Sequence, residues 1–528
     1  MMVLSIPEQA DSLPFALEHL SHTNPYTLLK AMTLLRQTVH DQGQAMFEQW
    51  RSRIHRPDFL PSALNLAYYL ALRRYDLRPL QTALMPWGLS SLGRIEARVM
   101  PNLDAVIATL SAICHLDPAS CLPRPVPADF FAGDHQLQHH TEELFGKAVD
   151  NRRVRIMVTL PTAAAENYHL IQDLMQRGTA CVRINCAHDT PEQWLAMINH
   201  VRRASRETGR ACKVLMDLGG PKPRTGEVFH PVGQKRVFNG DRIWLSREAI
   251  PPSSTEAIAL DSLPPGYFQT GCMLPGIIEH LQVGASVWID DGKIGARVVD
   301  THYSLSAESQ DGVLLEVMQV GPKGAKLRPE KGMNFPDTQL PLNPLTDQDL
   351  QDLDFVVAHA DIVGYSFVQT AADMERLQNE IAARLQGRPS KLAIVAKIET
   401  PTAVQHLPEL IVQAAGRYPF GVMIARGDLA IEIGYQRLAE MQEEILWLCE
   451  AAHVPVIWAT QVLENLVKTG LPSRGEITDA AMAERAECVM LNKGPFIAEA
   501  VTILDDVLTR MQAHQLKKTS QLRALHSW

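Results

Sequence analysis

Lys397 and Glu399 stand two residues apart in VAKIET, and Asp428 follows the next apolar run, in IARGDLA. Residues two apart on a strand share a face, so an ammonium and a carboxylate point the same way. Glu399 and Asp428, from consecutive runs, are two hard oxygen donors, enough to anchor one Mg²⁺ that keeps its other positions for water and substrate. Lys397 beside such a metal puts positive charge where a transferring phosphoryl group or an enolate oxygen needs it. Gly427 and Asp428 precede a polar turn whose free N–H groups suit a carboxylate. Arg183 and Arg224 suit bidentate contacts to phosphate. Thr460 is placed to hydrogen-bond near a carbon that is protonated, directly or through water. Each of these residues, taken singly, also reads as a solvated strand end. Their joint occurrence at successive strand ends is much harder to ascribe to chance.

Eight short apolar runs would have to position them, at 155–160, 181–186, 213–218, 361–367, 392–399, 421–425, 455–460 and 488–492. Nearly all are followed by a helical period, such as 191–205 or 436–452. Strand–helix alternation implies a parallel sheet, and eight repeats imply closure into a (β/α)₈ barrel, the open doubly wound sheet being the alternative. In a barrel the site forms where the strands end, which gathers Arg183, Asn185, Asp217, Lys397, Glu399, Asp428 and Thr460. Between the third and fourth runs the texture changes. Asn239-Gly240-Asp241 and Asp291-Gly292 are turn signals, and 287–290 with 294–299 reads as a hairpin. The expected organisation is therefore an all-α N-terminal region at 1–117 and a Pro-rich linker and lead-in at 118–150. The barrel's first part follows at 151–221, an inserted β lid at 222–331, and the barrel's second part with a C-terminal tail at 332–528. Gly219-Gly220-Pro221 and Gly332 supply flexible points at which such a lid would close.

Composition bounds the function class. The 528 residues are 46% hydrophobic and 21% charged, which is globular rather than disordered, and long enough for several domains. A net charge of -9 argues against non-specific nucleic-acid binding. The eight cysteines form no CxxC pair, so neither a zinc site nor a disulfide framework is indicated. There is no basic leader followed by an apolar stretch, and no run of about 18 apolar residues. These features predict a cytoplasmic chain with no membrane and no nucleic-acid partner.

The segments CVRINCAH (181–188), MDLGGPKPRTG (216–226), VWIDDGKI (287–294), EKGMNFP (330–336), VAKIET (395–400), MIARGDLAIEI (423–433) and WATQVLENL (458–466) resemble the signature segments of pyruvate kinases, in that family's order. The resemblance implies phosphoryl transfer from phosphoenolpyruvate to ADP, giving pyruvate and ATP, with Mg²⁺ or Mn²⁺ as cofactor. It makes Lys397 the lysine that stabilises the transferring phosphoryl and the enolate. Glu399 and Asp428 become the metal ligands, and Arg183 the substrate-phosphate arginine. Gly427 and Thr460 then contact the carboxylate end of the substrate. It also implies that Asn185, His188, Arg224 and Lys331 surround the nucleotide and its phosphates, and that Asp217 with Asn185 belongs to the monovalent-cation region. A homo-oligomer is among its expectations.

Departures from the family pattern carry expectations of their own. Ala187 stands where a serine contributes to the K⁺ site, and Lys222 where many members have glutamate. The implied consequence is that K⁺ is not required, the Lys222 ammonium taking its place with Asp217 and Asn185 as partners. The turn TLPTAA after the first run, the loop Asn492-Lys493-Gly494-Pro495 after the eighth, and Gln369 where arginine is common also differ. The sequence ends soon after the eighth helix, where the resemblance would lead one to expect a further α/β domain. Two other readings are compatible with the residues. One is a Mg²⁺-dependent lyase or aldolase working through a pyruvate enolate, and the other a non-catalytic sensor derived from the enzyme.

Overall fold

The runs named above become strands because they are short, apolar and rich in β-branched residues, and because both of their faces are covered. The computed structural model describes residues 24–521 apart from 90, 150, 232, 248–265, 305–311, 341 and 389–390. The eight parallel strands are β1 (Arg155–Thr159), β2 (Thr179–Asn185), β3 (Lys213–Asp217), β11 (Ile362–Tyr365), β12 (Ala393–Ile398), β13 (Phe420–Ala425), β14 (Val456–Ala459) and β15 (Cys488–Leu491). They close into a barrel in the order β1-β15-β14-β13-β12-β11-β3-β2. Strands β11 to β15 are buried along their whole length, as a sheet covered by helices outside and side chains inside requires. Helices start cleanly after strand ends. Thr190, Thr346, Thr370 and Ser473 each form a capping box with the residue three positions on.

Between β3 and β11 lies the inserted domain expected to act as a lid, a seven-stranded sheet in the order β10-β7-β8-β9-β5-β6-β4. Its strands are β4 (Thr225–Phe229), β5 (Arg242–Ser246), β6 (Tyr267–Cys272), β7 (Ser286–Ile289), β8 (Ile294–Tyr303), β9 (Gly312–Val320) and β10 (Met333–Asn334). The hairpin around Asp291-Gly292 is present as the antiparallel pair β7–β8. The lid has its own core, including Ile243, Phe268, Val287, Val298 and Leu315.

Before the barrel the described chain is helical, beginning with Pro25–Trp50 and Leu60–Leu72; the helical expectation for 1–23 lies outside the described residues. This region packs on the N-terminal face of the barrel, opposite the strand ends. Asn65 donates to the Ala451 carbonyl at 2.8 Å, and Ser62 Oγ lies 2.9 Å from His453 Nδ1, both just before β14. The backbone N–H groups of His55 and Arg56 donate to the Gly416 carbonyl, just before β13. The helix Ala132–Phe145, within the Pro-rich stretch, ends inside the barrel floor, where Leu144 and Phe145 join Met157, Leu215, Val395 and Met423. A Cβ on Gly421 would come within 2.4 Å of Leu144, so the strand admits the leucine only because it carries no side chain there. Among the described residues no helix is long and apolar enough to cross a membrane.

Candidate active site

Adjacent strand ends bring the first group of polar side chains together. Asn185 and Asp217 are register partners on β2 and β3, and Arg183 sits two residues before Asn185. The Arg183 fork closes on Asp217 Oδ2 through Nε at 2.9 Å and through Nη2, while Nη1 donates to Thr159 at 3.3 Å. Lys397, at the end of β12, donates to Ser366 Oγ at 2.7 Å and pairs with Glu399 Oε1 at 3.1 Å and Asp217 Oδ2 at 3.3 Å. Glu399 also accepts the Phe367 backbone N–H at 2.6 Å. The Asp217 Oδ1 atom is buried without a partner and lies over Gly364, where a Cβ would approach within 2.3 Å.

These contacts set the charges. Burial pushes against ionisation of Asp217 and Lys397, but each meets opposite charges that outweigh it. Asp217 is held below the usual carboxylate range by Lys397 and Arg183, and Lys397 is held above the usual ammonium range by Asp217 and Glu399. Glu399 goes the other way: burial raises it, Lys397 opposes, and the carboxylate of Asp428 adds to the rise.

A second group forms at the lid junction. Lys222 Nζ donates to Asp428 Oδ1 at 2.7 Å. Asn334, in β10, bridges Asp428 Oδ1 at 3.4 Å and Glu432 Oε1 at 2.9 Å. Burial is countered at Asp428 by Lys222, which lowers it, whereas Glu432 is raised to about 7, chiefly by burial. The Lys222 pairing differs from the expected one with Asp217 and Asn185. The Asn185 amide oxygen instead accepts the Ala187 backbone N–H at 3.2 Å, and Asp217 is taken up by Arg183 and Lys397. The chain reverses through Gly220, at φ +67°, and carries Lys222 toward β13 rather than β2. Gly332 packs against it, with room for the lysine Cε only because a Cβ is missing there.

A third group lies at β13 and β14. The Gly427 backbone N–H donates to Thr460 Oγ1 at 2.8 Å. Thr460 and Gln461 have φ of 62° and 57°, unusual for residues with a side chain, so the turn after β14 is held under strain. Arg426 restrains it by donating to the carbonyls of Ala459 and Thr460, at 2.9 and 2.5 Å, while its fork holds Asp479. The remaining residues assigned by resemblance lie apart from these clusters. Arg224 donates to the Glu330 carbonyl at 3.0 Å and Lys331 Nζ is 3.7 Å from Asp290, both at the lid base. His188 is exposed in the loop after β2, with its pKa lowered by burial and by the charges of Lys493 and Arg224.

Six residues in contact with these clusters escaped the reading of the sequence: Thr159, Ser366, Asn334, Arg426, Glu432 and Asp479. Ser366 sits at the end of the fourth barrel strand, so the rule that singled out the others would have found it. Asn334 belongs to the lid and only the fold brings it to Asp428.

Glu399 and Asp428 suit a hard divalent cation. Ionised, both are acceptor-only oxygen donors, and a cation between them would offset the burial that chiefly raises Glu399 and the repulsion from Asp428 that adds to it. No group of three or more His, Cys, Asp or Glu is gathered for a metal among the described residues, so the remaining positions would fall to water and substrate.

Comparison with known proteins places the chain among relatives. Residues 151–501 match the family described as pyruvate kinase, barrel domain. A pyruvate kinase of Agrobacterium vitis is 31% identical over 69% of this chain and 70% of its own length. Another, of Methylorubrum extorquens, is 30% identical over the same shares, 69% and 70%. Among solved structures, a pyruvate kinase from Cryptosporidium parvum superposes with a TM-score of 0.58 at 24% identity, covering 70% of this chain and 72% of that one, a likeness of fold.

Proposed function

The chain belongs to the pyruvate kinase family, and from that premise we propose that it transfers the phosphoryl group of phosphoenolpyruvate to ADP, with Mg²⁺ or Mn²⁺ held by Glu399 and Asp428 and without a need for K⁺. The observation that carries the reading is Lys397, a buried, protonated ammonium held by Ser366, Glu399 and Asp217 where β12 opens to the strand-end face.

In the forward direction the bond between phosphorus and the enol oxygen breaks, a bond from phosphorus to the β-phosphate oxygen of ADP forms, and the enolate left behind takes a proton at its methylene carbon. Lys397 supplies positive charge to the transferring phosphoryl and then to the enolate oxygen, and its three carboxylate and hydroxyl partners keep it from reorienting. Arg183, its Nε–Nη2 fork on Asp217 and Nη1 on Thr159, keeps its remaining Nη hydrogens for the substrate phosphate. Gly427 lines the substrate carboxylate. Thr460 Oγ1 accepts the Gly427 N–H, so its own hydroxyl proton faces away from that bond, toward the carbon to be protonated or a water beside it. Arg426, by holding the Thr460 carbonyl, fixes where that hydroxyl points. Asn185, His188, Arg224 and Lys331 attend the nucleotide phosphates, the last two arriving as the lid closes. The divalent cation, when bound, neutralises charge shared between substrate oxygens. Two features support independence from K⁺: Ala187 offers no hydroxyl ligand, and Lys222 adds a positive charge at the strand-end face, on Asp428 rather than on the Asp217 and Asn185 expected of a K⁺ replacement.

The test is formation of ATP from phosphoenolpyruvate, ADP and Mg²⁺, run beside release of pyruvate from a 4-hydroxy-2-oxo acid. ATP formation is expected. Pyruvate release from the oxo acid with no ATP formation would replace this reading with that of a lyase.

A further inference from the structure

We propose that the junction between the helical region, the barrel helix Tyr435–Ala451 and the C-terminal hairpin is a second binding site, for a small oxyanion, on the opposite side of the barrel from Lys397. A cavity of about 430 Å³ opens there. Its walls come from five parts of the chain: the end of the helix Leu60–Leu72, the turn and helix start at 75–81, the turns around 92–96, the helix Tyr435–Ala451, and the hairpin of β16 (Gln515–Leu516) and β17 (Thr519–Ser520).

Two cations converge in this cavity on one indole. The Arg73 guanidinium carbon lies 5.1 Å from the centroid of the Trp447 ring, and Lys518 Nζ lies 4.8 Å from it. Among the described residues Arg73 has no carboxylate partner; its Nη1 donates to Tyr69 Oη at 2.5 Å. Lys518 is paired with Glu96, and Arg78 at the rim is paired with Asp76. The lining thus holds three cations against two carboxylates, and the unbalanced one is Arg73. Trp447 Nε1, a donor, is buried in the same lining with no hydrogen-bond partner. Glu96 Oε2 is also buried and unpartnered, but as a carboxylate acceptor it repels an anion, so the anion's place is on the side of Arg73. A buried donor left unmet is costly and uncommon in native folds.

The chemistry selects the ligand class. An oxyanion on Arg73 takes up the free edge of the guanidinium, whose planar donors match carboxylate and phosphate, with Lys518 and the unpartnered Trp447 N–H as further donors in the same lining. Both cations are already stacked on an aromatic face, so little side-chain freedom is lost on binding. Leu72, Leu92 and Ile95 offer an apolar floor for a short carbon skeleton. Phosphate-bearing and carboxylate-bearing metabolites share this chemistry, and the two can be separated by titration.

The experiment is calorimetric titration of the full chain with inorganic phosphate, with a sugar phosphate and with small carboxylic acids, for wild type, Arg73→Met, Arg73→Lys and Lys518→Met. The catalytic cleft is common to all four proteins, so differences between them report on this cavity. At least one of the ligands is expected to lose tenfold or more in affinity in Arg73→Met and in Lys518→Met, with Arg73→Lys retaining part of it. The same ligand should change the tryptophan emission of wild type and not that of Trp447→Phe. Arg73 is exposed, so its substitutions leave the fold in place, whereas Lys518→Met leaves the buried Glu96 carboxylate without its partner; circular dichroism and the melting temperature check both, and the Arg73 variants alone decide the proposal if Lys518→Met unfolds. Isotherms that are the same in wild type, Arg73→Met and Lys518→Met for every ligand, or no binding of any of them at millimolar concentration, would overturn the proposal.

Discussion

At the scale of single residues, the account turns on which cation stands beside which carboxylate. Lys222 is bonded to Asp428, so reversing its charge sets two carboxylates against each other at the metal pair. Lys222→Glu is expected to lower turnover by tenfold or more and to raise the Mg²⁺ concentration needed, and K⁺ should restore only part of the activity because Ala187 adds no hydroxyl. Wild type should run in a buffer of bulky organic cations with no K⁺. A wild type that is nearly inactive until K⁺ is added would remove the basis for the Lys222 role. The grouping of Arg183, Asp217, Lys397 and Glu399 was legible in the sequence because strand ends converge in a barrel whatever the helices do. The partner of Lys222 was not, because it depends on how the chain turns at Gly220 and where the lid's exit strand returns. Glu432 was invisible for the same reason: only Asn334, folded back from the lid, ties it to Asp428.

At the scale of elements, the loops that join strands to their neighbours carry strain and close approaches. Gly220 combines φ +67° with a position where a Cβ would lie 2.8 Å from Ser366, the hydroxyl partner of Lys397. Gly220→Ala is therefore expected to cost about 1–3 kcal/mol in stability, and to lower kcat through Ser366 more than it raises KM; a variant with wild-type melting temperature and turnover would show that the hinge tolerates a side chain. The interface between the helical region and the barrel helix Tyr435–Ala451 predicts a pH effect. Burial raises Glu450 to about 7, Lys517 opposing and Glu96 adding to the rise. A carboxyl raised in the folded state stabilises below its unfolded pKa and loses that contribution as pH climbs through its folded pKa. Stability should therefore fall between about pH 4.5 and 7 on this account, and Glu450→Gln should recover on the order of 2 kcal/mol at pH 8. His453, lowered to about 4 chiefly by burial, has the opposite slope over an overlapping window, from about pH 6.5 down to 4, so the Glu450 contribution is read as the difference between wild type and Glu450→Gln. The histidine's contribution is present above the ordinary histidine range and is lost as pH falls through about 4. Denaturant midpoints of the two proteins from pH 4 to 8 check the slope; parallel curves would contradict the assignment to Glu450.

For the molecule as a whole, a barrel needs its floor closed as well as its mouth equipped. The helix Ala132–Phe145 does this, with Leu144 and Phe145 each 1% exposed and set among the interior side chains. Leu144→Ala should destabilise the protein by about 2–5 kcal/mol, read from chemical denaturation, since the floor above Gly421 cannot collapse onto the missing side chain. A loss below about 1 kcal/mol would mean that the helix is merely appended. The barrel and the lid were legible as wholes, from eight apolar runs with helical periods between them and from turn signals where that alternation breaks. The docking of the helical region was not. Its apolar spacing marks helices whose buried side chains share one core with the barrel, but the contacts that fix where it docks are single polar groups, Asn65, Ser62 and His453, reaching backbone and one another across long stretches of chain. Nothing in local pattern distinguishes such residues from solvated ones.

The most direct test of the central claim is the initial rate of ATP formation from phosphoenolpyruvate, ADP and Mg²⁺ for wild type and Lys397→Met, with phosphoenolpyruvate binding followed separately. Wild type should form ATP and pyruvate in equal amounts. Lys397→Met should bind phosphoenolpyruvate nearly as well but lose on the order of 3–4 kcal/mol of barrier lowering, a few hundredfold or more in kcat, because the ammonium is matched to charge that develops during transfer. Near wild-type turnover in Lys397→Met, or pyruvate formed without ATP, would contradict the account.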